Sequence, residues 1–409
     1  MATLRAFRAL RPTTEKAPAV SAVPYDVVNT IEAREIAAGN PLSFLHVSRP
    51  EIDLPDGTDA YSDAVYSKAA QNFEKLRAEA PLFVEETPSL YVYRLGMGEH
   101  IQTGIAACCS VDEYDADIVR KHERTRKDKE DDRTRHMLTI RAQTGPVFLT
   151  YRGRDEINDL AIRSQQKEPL YDFAADGVTH TIWRVSPGDT DLLIEGFQAI
   201  PLVYIADGHH RVASASRARA ELRAKNSGDT GDEEYNFFLA VLFPADQLQI
   251  LPYNRAVKDL NGMSASEFRR ALSKSFLIAD ASSPSPKEKS ERCMYLEGCW
   301  YSLTNAPGTT TPIDPISTLE VSVLQERVLE PLLGIKDVRT DKRIDFVGGL
   351  RGTAALEEMV NAGRAAVAFS MSPVTVDELM AIADRNEIMP PKSTWFEPKL
   401  RDGLLSHLI

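Results

Sequence analysis

Little in this chain belongs to the familiar catalytic and cofactor signatures. The chain has four cysteines, Cys108, Cys109, Cys293 and Cys299, and no pair has Cys-x-x-Cys spacing. That removes support for a zinc knuckle or a redox pair and leaves reduced thiols as the expectation. No uninterrupted apolar run approaches the length needed to span a bilayer. The opening MATLRAFRALRPTTEK scatters arginines among its apolar residues, unlike a signal peptide, so a cytoplasmic location is expected. Excess positive charge is also lacking. Asp and Glu number 60 against 48 Lys and Arg, a net charge of −12 that disfavours nucleic acid and anionic membranes as partners. There is no Gly-x-Ser-x-Gly elbow, no Gly-x-Gly-x-x-Gly fingerprint and no recognisable helix-turn-helix. Tandem repeats and long low-complexity tracts are absent as well.

What is present is an ordinary globular composition, 43% hydrophobic and 26% charged, over 409 residues, enough for two or three domains. Segments 1–115, 116–278 and 291–409 are the expected divisions, with Ala279 to Ser290 as the linker-like run between the last two and Thr304 to Pro315 as a further Pro/Thr-rich loop. Leu90 to Leu95 and Gln102 to Ser110 predict a hairpin. Val147 to Tyr151, His180 to Val185, Leu202 to Ala206 and Phe237 to Phe243 predict strands. Helices are predicted from Thr30, over Asp59 to Ala78, up to about Arg141, and over Thr318 to Leu333. Strands alternating with helices point to a mixed α/β, or α+β, fold.

The densest chemistry is Ile205-Ala206-Asp207-Gly208-His209-His210-Arg211. Apolar residues end a buried strand there and an alanine-rich helix begins at Arg211. A helix start offers unpaired N–H groups and a positive dipole end, so it favours an anion. Gly208 permits close backbone approach. Asp207 can hold a divalent cation or accept a proton, His209 and His210 can bind oxyanions or move protons, and Arg211 can fork onto phosphate. Zinc is disfavoured, because adjacent histidines diverge and no Cys or His-x-x-x-His partner lies nearby. The bland alternative is an Asx-type turn with exposed polar groups.

A second cluster runs from His122 to Arg133 (HERTRKDKEDDR). If helical, it places His122, Lys129, Arg133 and His136 near one face, with Glu123 beside Lys127 and Arg126. That suits a polyphosphate with a carboxylate as base. A solvated helix laced with ion pairs is the alternative. Arg126 stands where His-Glu-x-x-His needs its second histidine. Met389 to Lys399 (MPPKSTWFEPK) presents Lys392, Ser393 and Thr394 without a P-loop frame, as a ligand-facing loop or as an aromatic-anchored packing segment. Asp26, after Pro24-Tyr25, is a further acidic candidate.

Six ordered landmarks resemble a known family: Phe7 to Pro12, Val23 to Val28, Asn40 to Glu51, His122 to Arg133, Ile205 to Arg211 and Met389 to Lys399. The chain is identified as similar to the domain of unknown function 1015 family, with one proline rather than two before Tyr25. Asp-Gly-His-His-Arg further resembles the phosphate-binding motif of the ParB/sulfiredoxin-like group, which includes free serine kinases. The resemblance implies a ParB/sulfiredoxin-like central core with added N- and C-terminal α/β segments. It also implies a nucleotide-dependent phosphotransferase acting on a small hydroxylated metabolite, such as free serine. Gly208, His209, His210, Arg211, Lys129, Arg133 and Lys392 would then contact phosphates. Glu123, Asp207 and His209 would be catalytic, and His122, Asp26, Ser393 and Thr394 would face the substrate. Mg²⁺ at Asp207, with ATP or ADP, would complete the site. A non-catalytic nucleotide-binding regulator or adaptor and a hydrolase or lyase acting on an anionic metabolite remain the alternatives. Homo-oligomer formation is left open.

Overall fold

The computed structural model describes residues 2–79, 82–307 and 314–409. Residues 308–313 of the expected Pro/Thr-rich loop lie outside them. The chain forms two compact units, Met1–Leu248 with Pro398–Ile409, and Gln249–Glu397.

The first unit is built on a mixed sheet. Its strands run in the order Val119–Arg120, Val203–Asp207, Val147–Tyr151, Phe237–Pro244, His100–Ser110, Tyr91–Met97, Val178–Arg184 and Tyr171–Ala175, with Leu4–Arg5 on the side of His100–Ser110. Val203–Asp207 pairs in parallel with Val119–Arg120, and Phe237–Pro244 with Val147–Tyr151; the other pairs are antiparallel. Every residue of VFLTY at Val147–Tyr151 is buried. A strand covered on both faces favours such a nearly continuous apolar run over alternation, and its one hydroxyl, Thr150, is satisfied by the Phe243 carbonyl. Helix His209–Lys225 buries Val212, Ala215, Ala218 and Leu222 and packs beside helix Lys127–Ile140, which in turn meets helix Asp63–Glu79. The mixed α/β class expected from the sequence is the class observed.

Strand pairing, rather than loop composition, sets the unit boundaries. The hairpin Tyr91–Met97 and His100–Ser110 shares a sheet with strands from beyond residue 116. The second unit has an antiparallel sheet in the order Phe276–Asp280, Cys299–Asn305, Glu291–Leu296, Val367–Ser370, Tyr253–Val257 and Ile344–Gly348. Ala279 to Ser290 therefore lies inside one sheet unit, where its first two residues end a strand and the rest form a loop. The helix expected over Thr318 to Leu333 is shorter, Glu320–Leu324, and passes into a π-helical turn at Gln325–Leu329. Among the described residues, no helix is long and apolar enough to cross a membrane.

Candidate functional site

The strand Val203–Asp207 changes register between Ile205 and Asp207 against its neighbour. Such an irregularity re-aims the side chain that follows it. Gly208 then takes the left-handed conformation, φ 96°, and helix His209–Lys225 begins. A Cβ at Gly208 would stand 3.4 Å from the Val147 Cα and 3.5 Å from the Arg211 Cδ. Those are ordinary van der Waals contacts, so it is the left-handed backbone that calls for glycine here.

Asp207 sits at the end of this strand. Its Oδ1 accepts from the Gly208 N–H at 2.9 Å, and its Oδ2 accepts from Lys399 Nζ at 3.1 Å. Burial works against its charge, but Lys399 and Arg211 outweigh it and hold the carboxyl well below the usual range. Lys399 closes the MPPKSTWFEPK landmark. In sequence it is only the last residue of that landmark; its partnership with Asp207 is set by the fold.

The two histidines turn inward. His122 N–H donates to His209 Nε2 at 3.4 Å, and Arg126 N–H donates to His210 Nε2 at 3.0 Å. The His122 and His209 rings meet edge to face, their centroids 4.4 Å apart. Burial pushes His209 well below its ordinary value, with His122 adding to the shift, and burial pushes His122 down to about 4. His210 is lowered too, again by burial first. All three rings are thus neutral near pH 7. Residues 122–126 are not helical as the sequence suggested; helix Lys127–Ile140 starts later, because the amides of this stretch are drawn to the imidazoles.

Arg211 is buried. Its Nη1 donates to the Pro146 carbonyl at 2.9 Å, and its Nη2 reaches both Asp26 oxygens at 3.1 Å. Arg133 donates to Asp132 at 2.8 Å and to the Ser48 carbonyl at 3.3 Å. Tyr25 contacts both guanidinium groups, 4.4 Å from Arg133 and 5.7 Å from Arg211. Tyr25, Arg133, His136, Arg211 and Asp402 help to line a cavity of about 50 Å³, a volume suited to waters or a very small ligand rather than to a nucleoside. Burial pushes the Asp402 carboxyl up to about 7, against the pull of Arg211.

The structure thus gathers Asp26, His122, Glu123, Arg133, Asp207, Gly208, His209, His210 and Arg211 around one helix start. Lys129 lies on the neighbouring helix, where its ammonium bonds the Tyr61 hydroxyl at 3.1 Å. Lys392, Ser393 and Thr394 belong to the second unit. There the Lys392 carbonyl accepts from Arg255 at 2.9 Å, its ammonium lies 5.7 Å from the Tyr253 ring, and Ser393 Oγ donates to the Pro390 carbonyl at 2.6 Å.

A mixed sheet that delivers a strand into a glycine turn and a helix start ringed by imidazole, guanidinium and carboxylate groups defines an α/β protein with a polar site at a strand–helix junction. The chain belongs to the family described as protein of unknown function DUF1015, whose profile matches residues 4–322. No curated protein matches it. Among solved structures it is similar to a conserved hypothetical protein from Pyrococcus furiosus, at 12% identity and TM-score 0.36, over 74% of this chain and 95% of that one. A free serine kinase in complex with AMP shows 13% identity and TM-score 0.36, over 74% and 92%. SbnI with a C-terminal truncation, from Staphylococcus aureus, shows 11% identity and TM-score 0.38, over 74% and 87%.

Proposed function

We propose that this protein is a nucleotide-dependent phosphotransferase acting on a small hydroxylated metabolite, with a free amino acid such as serine as the first candidate acceptor. The observation that carries this reading is the convergence of three distant segments, Tyr25-Asp26, His122 to Arg126 and Lys399, on the helix start at Gly208-His209. Phosphoryl transfer asks mainly for positioning and charge neutralisation, and a helix start with cations nearby supplies both.

A phosphate suits this donor set. The buried Nε of Arg211 has no hydrogen-bond partner of its own. The helix-start amides, with Lys129 and Arg133 nearby, are assigned to phosphate oxygens. Glu123, half-buried beside the histidines, is assigned the acceptor's proton. Mg²⁺ does not suit Asp207, since both of its oxygens are engaged and an ammonium already stands against it. No step is routed through that ion.

Calorimetry with AMP, ADP and ATP, followed by product analysis with a panel of hydroxylated amino acids, tests the reading. Nucleotide binding together with phosphorylated product is expected. Absence of saturable nucleotide binding by the folded chain would overturn it. One observation favours a second reading, a nucleotide-responsive regulator: His209, His210 and Arg211 spend polar atoms tying together three segments, as a conformational relay would. Binding without turnover, accompanied by altered protection of residues 121–126 in hydrogen exchange, is its signature.

A further inference from the structure

We propose that His122, Glu123 and His209 form a binding site for a divalent transition-metal ion, with zinc the first candidate. Donor atoms of these three side chains lie within 4.8 Å of one another. They come from two segments 87 residues apart in sequence, which is why adjacent His209 and His210 gave no sign of the site. The partner that His209 lacks locally is His122.

The donor set decides the kind of ion. Two imidazoles and a carboxylate suit zinc and its first-row neighbours, whereas magnesium prefers an all-oxygen shell with several waters. Three protein ligands leave a fourth position for water or a ligand oxygen, the pattern of an exchangeable rather than a sealed structural site. The surroundings match as well. His122 hydrogen-bonds the Ile205 backbone carbonyl, the outer contact that fixes the tautomer of a ligating imidazole. At 3.4 Å the His122 N–H engages His209 Nε2 only weakly, so an ion can take over that lone pair. The edge-to-face rings are buried while Glu123 is half-buried, which leaves one side for entry.

The site shares Glu123 with the proton-accepting role assigned above, so a loaded ion and turnover compete for one carboxylate. Binding is for that reason read directly. The full chain is stripped with chelator and titrated with zinc by calorimetry, then loaded with Co²⁺ for visible ligand-field spectra. Wild type is expected to bind a single equivalent with Kd of about 1 µM or below, unaffected by excess Mg²⁺. His122→Gln and Glu123→Gln should weaken binding by at least about 10- to 100-fold and abolish the cobalt bands. Circular dichroism confirms that each variant is folded; if His122→Gln is not, the half-buried Glu123→Gln decides alone. Zinc binding that is absent in folded wild type, or equal in wild type and Glu123→Gln, overturns the proposal. Nucleotide affinity measured on the same preparations reads the phosphotransfer proposal separately.

Discussion

At the scale of single residues, the contact that most changes the meaning of the motif is Asp207 with Lys399. An isolated aspartate at a strand end reads as a base or a cation ligand. Here it is one half of a largely buried ion pair, its side chain 28% exposed and that of Lys399 16%. Removing one partner of such a pair strands the other charge in a poor solvent. Asp207→Asn and Lys399→Met should each destabilise the first unit by about 2–4 kcal/mol. The double variant should cost less than the sum, since the second change removes a charge already stranded. Urea unfolding of the four proteins measures this; strict additivity would mean that the pair contributes no coupling. Asp402 makes a second residue-level case with the opposite sign. Its carboxyl is raised to about 7 by burial, so it is protonated in the fold and ionised in the unfolded chain between about pH 4 and 7. The native state holds the extra proton there, and stability contributed by this group falls as pH rises through that window. Asp402→Asn should flatten that descent and raise stability near pH 7 by up to about 4 kcal/mol, provided that the amide fits among Arg211 and Arg133. Chemical denaturation at pH 5 and pH 7.5 reads the difference.

At the scale of elements, the strand–turn–helix junction depends on a backbone conformation as much as on side chains. Gly208 sits at φ 96°, a backbone conformation strained for any L side chain, although a methyl there would find only ordinary contact with Val147. Gly208→Ala should cost about 1–2 kcal/mol and should weaken anion binding at the helix start more than it weakens the fold. Phosphate or nucleotide titration beside a melting curve separates the two; unchanged affinity would show that the turn is not where the anion docks. This junction was legible in sequence because an apolar run, a glycine and an alanine-rich stretch follow one another locally. So were Val147–Tyr151 and Phe237–Pro244, whose nearly continuous apolar residues leave few other readings. The stretch His122 to Arg126 was not legible. Its charge pattern suits a helix, and what unwinds it is a pair of imidazoles more than eighty residues away. Tyr171–Ala175 escaped because an edge strand with alternating burial carries only a short signal. The π turn at Gln325–Leu329, in which Val328 and Leu329 are both buried, escaped as well. Periodicity alone predicts a straight helix there. The candidate site shows the same division. Asp207 to Arg211, Asp26 and His122 are candidates in sequence, whereas which of them pair, and the partnership of Lys399 with Asp207, is set by the fold.

At the scale of the whole molecule, the two units differ in how they respond to acid, and the difference begins with where histidine occurs. All eight histidines fall in the first unit and none between Gln249 and Glu397. His122 and His136 are pushed down to about 4 and His180 to about 3, chiefly by burial, and His209, His210 and His407 are lowered as well. An imidazole whose folded value is depressed contributes stability that is complete above the unfolded value near 6.5 and is lost as pH falls toward the folded value. Asp402 works against this trend, but one carboxyl opposes six rings. Stability of the first unit should therefore fall as pH drops from about 6.5 to about 4. The second unit carries the reverse device. Glu320 faces the fully buried Arg292 at 2.5 Å, yet burial still pushes its carboxyl up to about 7. A raised carboxyl leaves the folded state holding the extra proton, so this unit should lose stability as pH rises from about 4.5 to about 7. Hydrogen exchange read by peptide, at pH-corrected rates between pH 4.5 and 7, follows each unit in the same sample. Protection should grow with pH across Val203–Asp207 and His209–Lys225 and shrink across Glu291–Leu296 and Glu320–Leu324. Parallel trends in the two units would mean that the histidines of the first are not held neutral by burial. The inward placement of His209 and His210, on which the reading of the helix start depends, would then fail with them.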